Sequence, residues 1–218
     1  MKRIATFAAV AALLLLAAPA FAAAPGDVIR SPLTDPYLLS GQTTRMVFPD
    51  RLTVETWGSP AAREVETSAL SQWLLAGALP VREGSRLVKF GTDPQVYAVG
   101  PQGTLHWIKS ESIASALYGK DWNRRVVTLF TSFFPHYRLG SAVETPVHPD
   151  GTLLKYASDP TVYYMINGVA RPFANERAFR ENRFSFDSVV TVSTPIAYVK
   201  GNPVNVREED LNLLPARR

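Results

Sequence analysis

The chain has 218 residues, 46% of them hydrophobic and 19% charged, with no cysteine and a formal net charge of +4. Without cysteine it cannot be held by disulfides, so burial must stabilise it, and its length suffices for one sizeable core or several modules sharing one. Lys2 and Arg3 belong to an expected leader, which leaves 21 of the 23 Lys+Arg against 19 Asp+Glu; with no concentrated basic face, nucleic acid is not an expected partner.

In chain order, Lys2 and Arg3 are followed by an uncharged Ala/Leu run from Ile4 to Ala18 and by Ala20-Phe21-Ala22. That pattern predicts a signal peptide over residues 1–22, cleaved after Ala22, with an uncleaved N-terminal anchor as the alternative. The run falls short of the roughly 20 apolar residues of a membrane span. No transmembrane span is expected in the mature chain, and no cysteine follows for lipid attachment. A bacterial export route is expected, ending in the periplasm, on the cell surface or in the medium.

The mature chain then repeats itself. Leu87, Lys89, Asp93, Pro94, Val96 and Tyr97 return at a constant offset of 66 as Leu153, Lys155, Asp159, Pro160, Val162 and Tyr163. Val126-Val127-Thr128 returns as Val189-Val190-Thr191. A more diverged copy lies upstream: Thr34-Asp35-Pro36-Tyr37 echoes Thr92-Asp93-Pro94 and Tyr97, and at an offset of 125 Val81-Arg82-Glu83 meets Val206-Arg207-Glu208. These matches predict three diverged units of about sixty residues, at 23–85, 86–151 and 152–218, with a closing strand at 211–214.

Each unit reads as a strand, an Asp-Pro turn, a β-hairpin, a short helix and a further strand. Asn167-Gly168 is a strong hairpin signal because both residues tolerate positive φ. Asp50, Ser110 and Asn175 stand where a helix N-cap is expected. One hairpin with one short helix buries too little to be stable alone. The expected fold is therefore a β-rich α+β body in which three units share a core, stacked in a row or closed around a pseudo-threefold axis.

The run Val162-Tyr-Tyr-Met-Ile-Asn-Gly-Val-Ala-Arg-Pro-Phe-Ala-Asn-Glu-Arg-Ala-Phe179, followed by Val189-Val-Thr-Val-Ser193, resembles a functionally uncharacterised hairpin-plus-helix repeat of exported bacterial proteins. Thr44-Thr-Arg-Met-Val-Phe-Pro-Asp50 resembles the same element in the first unit. The second unit departs from it, since Ile108-Lys-Ser-Glu111 lacks the aromatic and the proline. The resemblance implies export and repetition, brings no active site, and points toward the cell envelope.

Catalytic patterns are missing from the sequence. The three histidines, His106, His136 and His148, do not stand at zinc-helix spacing, and there is no Gly-x-Ser-x-Gly elbow or phosphate-cradling loop. No metal site and no cofactor is expected. Asp35, Asp93 and Asp159 each precede a proline; they read as turn-forming acids rather than calcium ligands, which come as several oxygen donors at alternating positions. Ligand-binding candidates are aromatics that depart from the repeat: Trp107, Tyr164, and Trp122 with its neighbour Arg124 in a loop peculiar to the second unit. Exposed rings of this kind stack on sugars or anchor a protein partner. The expected function is a non-catalytic exported protein binding an envelope glycan or protein; the alternatives are a self-assembling structural component or a hydrolase without a recognisable motif.

Overall fold

A computed structural model describes residues 23–84, 86–192 and 198–212; the expected signal peptide lies outside them. The first unit contains β1 (Val28–Arg30), β2 (Tyr37–Leu39), β3 (Thr44–Val47), helix α1 (Arg51–Thr56), β4 (Arg63–Glu64) and β5 (Leu74–Ala78). The second contains β6 (Leu87–Phe90), β7 (Tyr97–Gly100), β8 (Thr104–Trp107), α2 (Glu111–Tyr118), β9 (Val126–Leu129) and β10 (Arg138–Leu139). The third contains β11 (Leu153–Tyr156), β12 (Tyr163–Ile166), β13 (Val169–Pro172), α3 (Glu176–Glu181), β14 (Val190–Val192) and β15 (Val199–Lys200).

The three five-stranded sheets have one topology: β4-β1-β2-β3-β5, β9-β6-β7-β8-β10 and β14-β11-β12-β13-β15. In each, three strands form an antiparallel meander. The chain then passes through the helix, adds a fourth strand parallel to the first, and returns to add a fifth parallel to the third. The protein is thus mixed α+β and strand-rich, with three similar sheets consistent with three repeats.

Local chemistry accounts for the common path. Asp50, Ser110 and Asn175 have extended backbones, and their side chains accept the N–H of Thr53, Ile113 and Ala178 at 2.7, 3.3 and 2.8 Å, which starts each helix. Asn167 and Gly168 both take positive φ, 53° and 72°, in the third hairpin, and Gln102 and Gly103 do the same in the second. Asp93 Oδ1 accepts the Gln95 N–H and Asp159 Oδ1 the Thr161 N–H, both at 2.9 Å, while Asp159 Oδ2 also accepts the Tyr163 hydroxyl.

Strand alternation gives every sheet two apolar faces. Val28, Leu38 and Met46 face α1, whereas Ile29 and Leu39 face Leu70 and Trp73 on the return crossover. Leu87 and Ala98 face α2, and Val88, Tyr97 and Val99 face the other way. Leu153 and Tyr164 face α3, and Leu154, Tyr163 and Met165 lie opposite. The units share these interiors: Leu52 of α1 packs into the crossover-side core of the second sheet, and Tyr118, which ends α2, packs into cores of both the second and third sheets. A helix of one unit thereby covers the next, which removes from water faces that a lone unit would expose.

Arg82 ties the exit of the first unit to the third. Its side chain is 1% exposed, with the guanidinium 4.4 Å from the Trp57 ring and 4.6 Å from the Phe184 ring. Nη2 donates to the carbonyls of Asn182 (3.0 Å) and Leu211 (2.7 Å), and Glu83 Oε1 lies 3.5 Å from Nη1. Asn182 is fully buried; its Nδ2 donates to the Ala178 and Val206 carbonyls and its Oδ1 accepts the Glu208 N–H and Asn212 Nδ2. The closing strand expected at 211–214 is not formed at its start. Leu211 and Asn212 lie in a 3₁₀ turn, Asp210–Asn212, because the Leu211 carbonyl is drawn to Arg82 rather than to a strand edge; 213 and 214 lie outside the described residues.

Candidate docking surface on the second crossover

The return crossovers of the first two units are built on one backbone plan. Thr67–Gln72 and Thr131–His136 are both six-residue 3₁₀ segments. Each is entered from an extended residue, Glu66 (φ −60°, ψ 142°) or Phe130 (φ −64°, ψ 141°). Each closes with a backbone N–H donated back, Trp73 to the Leu70 carbonyl and Tyr137 to that of Phe134. Both begin Thr-Ser.

The side chains on this shared path differ sharply. Where the first unit has Glu66, Ala69, Ser71 and Gln72, the second has Phe130, Phe133, Pro135 and His136. Phe130 is 76% exposed. Its ring centroid lies 6.2 Å from that of Phe133, and Phe133 lies 6.3 Å from His136. Phe133 is half-buried and packs against the core of the second sheet, Phe134 sits edge-on to Phe90 at 5.0 Å while 36% exposed, and Tyr137 is buried with its hydroxyl accepting the Val81 N–H at 3.0 Å. Leu139, 69% exposed, extends the apolar surface along β10. The result is a row of rings fixed from below and open above, suited to stacking on a planar or apolar ligand surface.

The residues singled out in the sequence fall elsewhere. Trp107 on β8 is half-buried, packs into the crossover-side core and lies under Lys109 Nζ at 4.2 Å. Trp122 opens the 3₁₀ segment Trp122–Arg125 and packs on the helix-side core, so the two tryptophans occupy opposite faces of one sheet. Arg124 is exposed, 4.0 Å from Asp121. Tyr164 must be withdrawn as a ligand candidate: it is 0% exposed, tilted against Phe184 at 5.5 Å, because its place in the helix-side face of β12 points it into the core. Asp35 is exposed before β2. The structure therefore does not gather Trp107, Trp122, Tyr164 and Arg124 into one site.

No protein family, curated protein or solved structure matches this chain. The reading of the surface rests on its own chemistry. Among the described residues no group of three or more His, Asp or Glu side chains could hold a metal ion. His106 Nδ1 is bonded to the Ser141 carbonyl at 2.9 Å. His148 is buried between the second and third units, bonded to the Leu117 carbonyl and the Tyr198 hydroxyl. The crossover was missed from sequence because its aromatics look like ordinary core. The available signal was the Thr-Ser register that aligns Glu66–Trp73 with Phe130–Tyr137.

Proposed function

We propose that this is an exported, non-catalytic repeat protein that holds a cell-envelope polymer or protein partner on the aromatic crossover of its second unit. The observation that carries the reading is the substitution of Glu66, Ala69, Ser71 and Gln72 by Phe130, Phe133, Pro135 and His136 on matching backbones. The first unit takes the same path with Glu66 where the second has Phe130, so the exposed Phe130 ring is not required for folding, whereas Phe133 packs against the core of the second sheet. Exposed rings in a contiguous row are energetically unfavourable in water unless something covers them. The leader-like N-terminus and the resemblance to an exported repeat support an envelope partner.

The test is a glycan array and an envelope-extract pull-down with residues 23–218, run beside a Phe130→Glu variant, which alters an exposed ring and leaves the core contact of Phe133 in place. A ligand retained by the wild type and lost by the variant supports the reading. Equal retention by both, or no ligand from either, refutes it.

A second reading, self-assembly into a structural layer, draws on β5. This five-residue strand ends its sheet, and Leu74 and Leu75 on it are 61% and 51% exposed. An open apolar edge favours strand pairing with another chain. Sedimentation at rising concentration separates the readings: a strict monomer removes self-assembly.

A further inference from the structure

We propose that the first unit carries a docking cleft for a single aromatic side chain, presented by a partner polypeptide on a tight 3₁₀ turn. The cleft measures about 510 Å³ and is walled by Val28, Pro36, Phe48, Val54, Pro60 and Ala62, with Arg30, Thr34 and Asp35 at its rim. It opens between α1 and the helix side of the first sheet.

The other two units show what fits such a wall. In the second unit the corresponding positions are Leu87, Val96, Ile108, Ala114 and Val126, and Trp122 packs against them. In the third, Phe186 stacks on Phe179, the counterpart of Val54, with centroids 4.4 Å apart and planes at 19°. Both rings are the first residue of a short 3₁₀ segment, Trp122–Arg125 or Phe186–Ser188, lying between the helix and the parallel edge strand. The first unit has no 3₁₀ segment there. Its connection runs through Gly58-Ser59-Pro60-Ala61 and carries no ring to the wall. Trp57 is buried in the same helix-side core but does not line the cleft; it is stacked on Arg82, with Nε1 donating to the Pro80 carbonyl at 2.9 Å.

The occupant follows from this comparison. In the other two units an aromatic ring of the same chain lies on this wall, Trp122 packed against the core and Phe186, 44% exposed, stacked on Phe179; among the described residues none does so in the first unit, which leaves a place for a ring from a partner. Asp35 is exposed and lines the cleft together with Arg30, which is paired with Glu64, so the rim carries one carboxylate able to meet a basic residue beside the ring. An indole or phenyl ring brings a large apolar contact at small conformational cost. This site shares no residue with the second crossover and does not depend on it.

The probe is a capped peptide copying Gly119–Arg125, titrated into isotope-labelled residues 23–218 while methyl shifts are followed by NMR. Saturable shifts confined to the methyls of Val28, Val54 and Ala62 are expected, weakened by about tenfold or more when the peptide's Trp is replaced by Ser. Ala62→Trp should fill the cleft with a ring of the chain's own and abolish peptide binding with the fold intact, whereas Ala62→Val, the residue found beside the rings of the other units, should leave binding in place. Phe130→Glu should leave binding unchanged. Absence of shifts, shifts centred on the second crossover, or equal shifts from a short fatty acid in place of the peptide would each overturn the proposal.

Discussion

Arg82 joins the first unit to the third through its buried side chain. A buried guanidinium is tolerated because two aromatic faces, two backbone carbonyls and Glu83 surround it. Burial raises the Glu83 carboxyl above its ordinary range, with Arg82 pulling it back. Arg82→Ala strands that carboxylate and unties Leu211, and is expected to cost about 3–5 kcal/mol in urea unfolding. Glu83→Gln should cost less, because the Arg82 guanidinium left behind keeps the Asn182 and Leu211 carbonyls and its two ring faces. His148 is the second sensitive residue. Nε2 donates to the Leu117 carbonyl, so Nδ1 accepts from Tyr198, and the ring is held neutral. Burial lowers its pKa below 6.5, only partly offset by the bond to Leu117. The unfolded chain therefore takes up a proton that the folded chain resists. The stability contributed is present above 6.5 and lost as pH falls from there toward the folded-state value. The melting temperature should drop over that window, and the drop should shrink in His148→Gln.

At the scale of elements, the crossovers separate what folding needs from what it does not. Phe134 takes the place of Leu70 and reaches Phe90, whereas Phe130 takes the place of Glu66 and reaches solvent. Phe134→Ala is expected to destabilise by about 1–3 kcal/mol, and Phe130→Glu to stay within about 0.5 kcal/mol. Chemical unfolding of the two variants checks this, and equal destabilisation would show that Phe130 is structural. The edge strands differ in the same manner: β10 and β15 have two residues each, carrying Arg138 and Lys200, while β5 has five and no charge. Short, charged edges resist pairing and long apolar ones invite it.

For the whole molecule, sharing of interiors predicts one transition. Leu52 and Tyr118 each pack into a core of the following unit, and Arg82 links the exit of the first unit to α3 and the C-terminal turn. Unfolding followed by tryptophan fluorescence and by far-UV circular dichroism should give coincident curves. Because Trp57, Trp73, Trp107 and Trp122 report only on the first two units, a third unit melting separately would split the curves.

The sequence alone determined the periodicity, the strand-rich α+β class and the helix starts. These are written in local chemistry: Leu87 and Leu153 recur at one offset, Asn167-Gly168 turns, and Asp50, Ser110 and Asn175 cap. It did not separate rings that are buried from rings that are bare. Tyr164 departs from the repeat and sits in the core, while Phe130 stands in a run that looks like core and faces water. Only the tertiary structure decided such cases, because exposure depends on which face of a sheet a neighbouring unit covers. The same holds for the cleft beside Val54, whose walls come from β1, α1 and the connections around them and meet only in the folded chain.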